Sequence, residues 1–207
     1  MIEYTHVAGD QYDAHVNGQT VQVTRSRERG YPWMPGAPNN GRPHLAMYEA
    51  AVQFLGKEPL RVLDFACGSG YGTAALRAAG HTVIGADCSD EAIAFARAAY
   101  GGEFVVADIG STWPWRTGSF DAVVCVESIE HTTHDASALA EARRVVRPGG
   151  TLILSTPQGS PHKPMSPHHV HEYTMMELAT LLERTGWGAQ MWVPSDAWLV
   201  LARRDER

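Results

Sequence analysis

The chain has 207 residues, 44% of them hydrophobic and 19% charged, with a formal net charge of −6. That length supports one hydrophobic core without staples, and the excess of acid excludes a broad phosphate-binding surface, which argues against nucleic acid as a partner. No apolar run approaches the ~20 residues that cross a bilayer, and no basic stretch leads into an apolar one near the start, so neither a membrane span nor a secretory signal is expected. Cys67, Cys88 and Cys125 are odd in number and lack C-x-x-C spacing. They read as free thiols of a cytoplasmic protein, with no zinc held on thiolates.

"DAHVNGQTVQV" places Asn17-Gly18 between two short alternating runs, which predicts a hairpin. "GYPWMPGAPNNGRP" is dense in Pro, Gly and Asn and predicts a loop. Residues 1–42 therefore form a hairpin-and-loop segment, either a cap over a pocket or cover for a sheet edge, ahead of a main domain over 43–207. Apolar spacing predicts a helix from His44 to Leu55, stopped by Gly56.

From Leu60 the pattern becomes regular. "LRVLDFA", "HTVIGAD", "GEFVVAD", "SFDAVVCVES" and "PGGTLILSTP" are five short apolar strands. Helices are predicted between them at Tyr71–Ala79, in "SDEAIAFARAAY" behind a Ser89 cap, and at Ala136–Val146. "TMMELATLLERTG" is a helix capped by Thr174, and "WGAQMWVP" and "AWLVLARR" are an antiparallel pair joined at Pro194–Asp196. Such alternation predicts a Rossmann-like α/β fold: a doubly wound, mostly parallel sheet with helices on both faces and an antiparallel pair at its end. Ligands of such sheets bind beyond the carboxyl ends of the strands. Of two basic clusters, Arg25, Arg27 and Arg29 and Arg143, Arg144 and Arg147, the second falls in the last turn of a helix, where cations complement the dipole.

The turn after the first of these strands, "VLDFACGSGYG", holds Gly68, Gly70 and Gly72. Glycines there admit positive φ and close approach of a ligand, with a helix N-terminus beyond them for an anionic group. The dinucleotide frame G-x-G-x-x-G/A, started at Gly68, requires a small residue at position 73, where the chain has Thr73. A nicotinamide cofactor is thereby disfavoured.

On these residues the chain from about Leu60 to Arg203 resembles the class I S-adenosylmethionine-dependent methyltransferase family. Asp64 and the turn through Ala66, Gly68 and Gly70 resemble its first motif. "GADCS" resembles the end of its second strand, which implies that Asp87 takes both ribose hydroxyls and that Cys88 lies beside the adenine. "VADIG" resembles the third, which implies that Asp108 faces the adenine amino group with Ile109 near the ring. "WPWRTGSFDAVV" and "RVVRPGGTLILSTP" echo later parts of the pattern. The chain departs at Ala66, where the commonest form has Gly, and at Cys88, where an aliphatic residue is more usual. The resemblance implies S-adenosylmethionine as cofactor and a methyltransferase domain over 43–207.

"ESIEH" follows the fourth strand, so Glu127 is expected at the carboxyl edge beside the transferable methyl. In a helical turn Glu127, Glu130 and His131 share one face. "SPHHVHEYT" follows the fifth strand and brings His168, His169 and His171 to the same edge. Two carboxylates and two imidazoles suit a divalent ion such as Mg²⁺, Mn²⁺, Fe²⁺ or Zn²⁺. The E-x-x-E-H run with a later histidine before "HEYT" resembles the metal-holding set of small-RNA 3′-terminal ribose 2′-O-methyltransferases, which implies Glu127, Glu130, His131 and His169 as ligands. It equally resembles ubiquinone-biosynthesis and other small-molecule methyltransferases, in some of which the histidines only order a lid.

The chemistry expected is in-line methyl transfer, to which the protein contributes alignment. A hydroxyl acceptor must lose a proton, for which Glu127 or His131 is the catalytic group. Tyr12, Tyr31, Trp33, Trp113 and Trp115 are more often packing than acceptor contacts, and Met175 and Met176 are expected to pack their helix. The favoured function is O-methylation of a small-molecule biosynthetic intermediate. Alternatives are a metal-dependent RNA ribose methyltransferase and a catalytically silent, cofactor-binding partner of another protein. No feature specifies an oligomeric state.

Overall fold

The computed structural model describes residues 2–8, 11–24, 42–160, 166–192 and 197–206. The loop expected after the hairpin, the Arg25, Arg27 and Arg29 cluster, Tyr31, Trp33, His162 and the Pro194–Asp196 connection lie outside these residues.

Strands β1 (Glu3–Ala8), β2 (Gln11–Val16) and β3 (Gln19–Thr24) form an antiparallel sheet of their own. Asn17 and Gly18 both take positive φ, 48° and 76°, the geometry that matches a two-residue hairpin to strand twist. After α1 (Arg42–Leu55) come β4 (Arg61–Phe65), α2 (Tyr71–Ala78), β5 (Thr82–Asp87), α3 (Asp90–Tyr100), β6 (Phe104–Val106) and β7 (Phe120–Val126). A 3₁₀ turn (Ile129–His131) leads to α4 (Asp135–Val145), β8 (Val146–Pro157), α5 (Met175–Arg184), β9 (Gly188–Trp192) and β10 (Ala197–Arg203).

The main sheet runs β6-β5-β4-β7-β8-β10-β9, parallel from β6 to β8, with β10 antiparallel to both its neighbours. The chain winds outward from β4 to β6 and then returns to the other side of β4 as β7. The switch point therefore lies between β4 and β7, and the loops at their carboxyl ends flank the crevice where such sheets bind ligands.

Alternate side chains of the strands feed two cores. Leu63, Phe65, Val123 and Leu152 pack against Leu139, Val145, Leu178 and Leu182 of α4 and α5. Val62, Val124, Val126 and Ile153 pack against Met47, Tyr48 and Ala51 of α1 and Leu76 of α2. The small sheet rests on α3, with Ala14 and Val23 against Phe95 and the Asn17 amide donating to the carbonyls of Ala98 and Ala99.

Ser89 caps α3 by accepting from Ala92 N–H, and Thr174 and Glu177 form a reciprocal capping box on α5. The strand expected over 102–108 shortens to Phe104–Val106, because Gly101 and Gly102 sit at φ 62° and 80°. The Pro148-Gly149-Gly150 stretch, expected to open a strand, instead bulges within β8: Phe120 pairs with Val146 but Ala122 with Thr151. Met175 and Met176 do not pack their helix; they are 53% and 76% exposed. Trp113 stacks on Phe65 with ring centroids 3.7 Å apart, and Trp115 meets Phe65 and Phe120 edge-on, so both belong to the core. Arg144 pairs with Glu141 and donates to the carbonyls of Trp113 and Trp115; Arg147 pairs with Asp121 and Arg143 with Asp205. That basic cluster is engaged internally. No described helix is long and apolar enough to cross a membrane.

His81, just before β5 at the amino end of the sheet, is 5% exposed, and neither ring nitrogen has a partner among the described residues. A buried polar group left unsatisfied costs about 1–3 kcal/mol. His81→Leu is accordingly expected to raise the unfolding free energy by about 1 kcal/mol or more. Urea titration of both proteins checks this, and a lowered midpoint contradicts it.

Candidate active site

A cavity of about 360 Å³ opens at the switch point, within the size range of small-molecule sites. Its floor is the turn after β4, from Ala66 to Ser69. Gly68 takes φ 54°, and Ala66 takes φ 60°, left-handed geometry that costs a residue with a side chain. This explains physically why glycine suits position 66.

Asp87, at the end of β5, pins the turn. Its Oδ2 accepts the Gly68 N–H at 2.9 Å and its Oδ1 the Ser89 N–H at 2.9 Å. Each oxygen retains acceptor capacity toward the cavity, which Asp87 and Cys88 line together with Asp108 and Ile109. Asp108 orders its own loop by accepting the Gly110 N–H at 2.9 Å. Val126 to Ser128, His131 and Thr132 border the cavity on the β7 side, and His44, Tyr48 and Tyr71 cover it.

Two expected cofactor residues are placed differently. Asp64 is fully buried behind the turn and does not line the cavity. It accepts from Tyr48 Oη at 3.0 Å and from Thr73 Oγ1 at 2.5 Å, tying α1 and α2 to β4. Gly70 also stands back from the cavity: it begins α2 at φ 85°, and a Cβ there would lie 2.6 Å from Ala96. The third glycine, Gly72, makes room for the Tyr48 ring, which a Cβ would meet at 2.0 Å.

Burial pushes the Asp64 carboxyl up to about 7, against the opposing pull of the Thr73 and Tyr48 hydrogen bonds. A carboxyl raised in the folded state binds its proton more tightly there than in the unfolded chain. Its contribution to stability is complete below the ordinary carboxylate value and is lost as pH rises through about 7. Between about pH 4 and 7 stability is expected to fall with a slope of up to about 1.4 kcal/mol per unit. Asp64→Asn should flatten that slope by up to one proton; unfolding titrations across the window check it, and an unchanged slope contradicts it.

A second cavity, of about 330 Å³, adjoins the first and is lined by His44, Glu127, Glu130, His131, Pro157, Ser166, His168 and His169. Three residues, His44, Glu127 and His131, border both. Glu127 does not begin a helical turn with Glu130 and His131. It sits at φ 49°, and only Ile129–His131 are helical, in 3₁₀ geometry. Its Oε1 accepts from Ser155 Oγ at 2.8 Å.

Of the four expected metal ligands, Glu130, His131 and His169 converge, with one ligand atom from each lying within 4.8 Å of the others; Glu127 lies outside that cluster. His131 Nδ1 lies 3.0 Å from the His168 carbonyl, and His169 Nδ1 lies 2.7 Å from Glu172 Oε1. Each contact favours a proton on Nδ1 and leaves the Nε2 lone pair available, as outer-shell acceptors do for metal-ligating histidines. Glu130 is 1% exposed and accepts from Thr156 Oγ1 at 2.9 Å; burial first and Glu127 second push its carboxyl up to about 8. The donor set of two imidazoles and a carboxylate suits a divalent ion.

The expected list did not include Tyr48, Thr73, Ser155, Thr156, Glu172 or His44. A signal existed for the β8 hydroxyls, because β7 and β8 are parallel neighbours with Val126 opposite Ser155. The α1 contacts had none, since nothing in local spacing says where that helix docks.

A doubly wound sheet, with a pinned glycine turn and acidic residues at the ends of successive strands, defines a nucleotide-cofactor protein. Residues 63–154 match the family described as a methyltransferase domain. The protein named "Probable S-adenosylmethionine-dependent methyltransferase" of Mycolicibacterium smegmatis is 35% identical over 152 residues, covering 70% of this chain and 58% of that one. A ubiquinone biosynthesis O-methyltransferase of Thiobacillus denitrificans is 37% identical over 101 residues, 46% of this chain and 44% of that one. The chain thus spans between two fifths and three fifths of these relatives' length. The crystal structure of an S-adenosylmethionine-dependent methyltransferase from Aquifex aeolicus superimposes with a TM-score of 0.65 at 20% identity, covering 79% of this chain and 92% of that one, which is a likeness of fold. The chain belongs to the class I S-adenosylmethionine-dependent methyltransferase family.

Proposed function

We propose that the protein transfers a methyl group from S-adenosylmethionine to a hydroxyl oxygen of a small-molecule biosynthetic intermediate in the cytoplasm. The observation that carries this reading is the pair of adjoining cavities sharing His44, Glu127 and His131. One has the floor and acidic rim of a cofactor pocket, and the other is an acceptor chamber with a common border where methyl and hydroxyl meet. When bound, S-adenosylmethionine supplies an electrophilic methyl on a sulfonium. Asp87 takes the ribose hydroxyls, Cys88, Asp108 and Ile109 surround the adenine, Ala66 and Gly68 offer close backbone approach, and Asp64 and Gly70 keep the turn in place. Glu127 and His131 contact the reacting hydroxyl and direct its lone pair at the methyl carbon. A base at the same border must receive the proton.

Glu130, His131 and His169 would hold a divalent ion, which would polarise an acceptor oxygen. Glu127 stands beside that set. The wild-type protein is expected to bind one equivalent of Mn²⁺, with affinity falling at least tenfold in Glu130→Ala; titration followed by electron paramagnetic resonance checks this. Equal affinity in both proteins contradicts the metal assignment. Residues 1–42 brace α3 in this account, and 43–207 carry the transferase.

Methyl incorporation from labelled S-adenosylmethionine into hydroxylated small molecules tests the function. Tight binding of S-adenosylhomocysteine without transfer to any acceptor supports a silent binding partner instead. Salt-dependent capture of RNA oligonucleotides supports the ribose methyltransferase reading, which shares the Glu130–His131–His169 cluster but meets the net charge of −6 and the internally paired Arg143, Arg144 and Arg147.

A further inference from the structure

Methylating a hydroxyl requires an acceptor for its proton, and the two groups singled out from the motif are engaged elsewhere. The Glu127 carboxylate receives the Ser155 hydroxyl, and His131 has Nδ1 on the His168 carbonyl and Nε2 facing Glu130 Oε1 at 3.7 Å. The third side chain bordering both cavities, His44, enters from α1. Its Nδ1 lies 3.2 Å from Tyr71 Oη, and its Nε2 has no partner among the described residues.

Resting on the hydroxyl-methylating reading above, we propose that His44 is the catalytic base: its Nε2 takes the proton of the acceptor hydroxyl while Nδ1–H donates to Tyr71 Oη. The oxygen–methyl bond forms as the methyl–sulfur bond breaks, and the electron pair of that bond passes to sulfur. The hydroxyl proton moves to Nε2. The products are a methyl ether, a neutral thioether and an imidazolium, so the positive charge lost at sulfur reappears on His44 and the net charge of the site is unchanged.

The surroundings suit a base that rests neutral. His44 lies in the first turn of α1, whose positive dipole end disfavours a resting imidazolium. Burial, and then His131, hold the ring below its ordinary histidine value. The groups facing it are Tyr71 from α2, Glu127, Glu130 and His131 after β7, and His168 and His169 after β8. Burial holds the Tyr71 phenol well above its ordinary value, so it remains a hydroxyl that can receive the Nδ1–H bond. The Glu127 carboxylate stabilises the imidazolium once it forms.

Nitrogen-15 NMR of histidine-labelled protein bound to S-adenosylhomocysteine tests the assignment, with the His44 signal identified by its loss in His44→Gln. The expected result at about pH 7.5 is a neutral ring protonated on Nδ1. A ring protonated on Nε2, or a charged one, overturns the proposal whether or not an acceptor is in hand. With an acceptor, His44→Gln is expected to lower kcat by about 100-fold or more and to leave the S-adenosylhomocysteine Kd within about twofold. Retained kcat also overturns it. Absence of S-adenosylhomocysteine binding by the wild-type protein is a separate result, which removes the methyltransferase reading itself.

Discussion

Asp87→Ala is expected to weaken S-adenosylhomocysteine binding by at least about 100-fold, equivalent to ~2.8 kcal/mol. Two losses combine. The carboxylate pins the turn by accepting the Gly68 and Ser89 N–H groups at 2.9 Å each, and bonds to a charged acceptor contribute about 1.5–3 kcal/mol. The same oxygens present their remaining lone pairs to the cavity, where the ribose hydroxyls of the cofactor would lie. Asp87→Asn separates the losses, because an amide retains one acceptor oxygen but turns a donor toward one of the two N–H groups. It should fall between wild type and alanine. Isothermal calorimetry measures all three, and alanine binding as tightly as wild type contradicts the assignment.

Gly72→Ala should destabilise the fold by about 3 kcal/mol or more. The added Cβ would lie 2.0 Å from the Tyr48 ring, and Tyr48 is 3% exposed, wedged between α1, α2 and β4. Moving the ring also withdraws its hydroxyl from Asp64, a group buried without access to water. The clash and the lost bond are separable in a double-mutant cycle. With Tyr48→Ala present, Gly72→Ala should cost less than about 1 kcal/mol, because the ring it strikes is gone. Additive effects of the two substitutions in urea titrations contradict the packing described.

These two glycine-turn predictions also mark what the sequence contained. Strands alternating with helices, the Asn17-Gly18 hairpin, and the Ser89 and Thr174 caps depend on local chemistry, and each was readable from a few neighbouring residues. The family was readable from Asp87, Asp108 and the turn taken in order. What spacing did not reveal is set by tertiary placement. Asp64 and Gly70 carry the family pattern, yet they support the turn rather than line the cavity, because strand alternation sends Asp64 toward α1 and α2 with Val62. The helical-face argument for Glu127 failed because that residue takes left-handed backbone geometry at the end of β7. The convergence of Glu130, His131 and His169 followed instead from two adjacent loops at one sheet edge. His44 was invisible as a site residue, since only the docking of α1 brings it to the border of the cavities.

The central claim is that the carboxyl edge between β4 and β7 holds the methyl donor with its reactive end at the border of the two cavities. A crystal structure with S-adenosylhomocysteine tests it most directly. The account predicts ribose hydroxyls on Asp87, adenine between Cys88 and Ile109, and the sulfur facing His44 and Glu127. A ligand bound elsewhere, or one whose sulfur points away from that border, would contradict it.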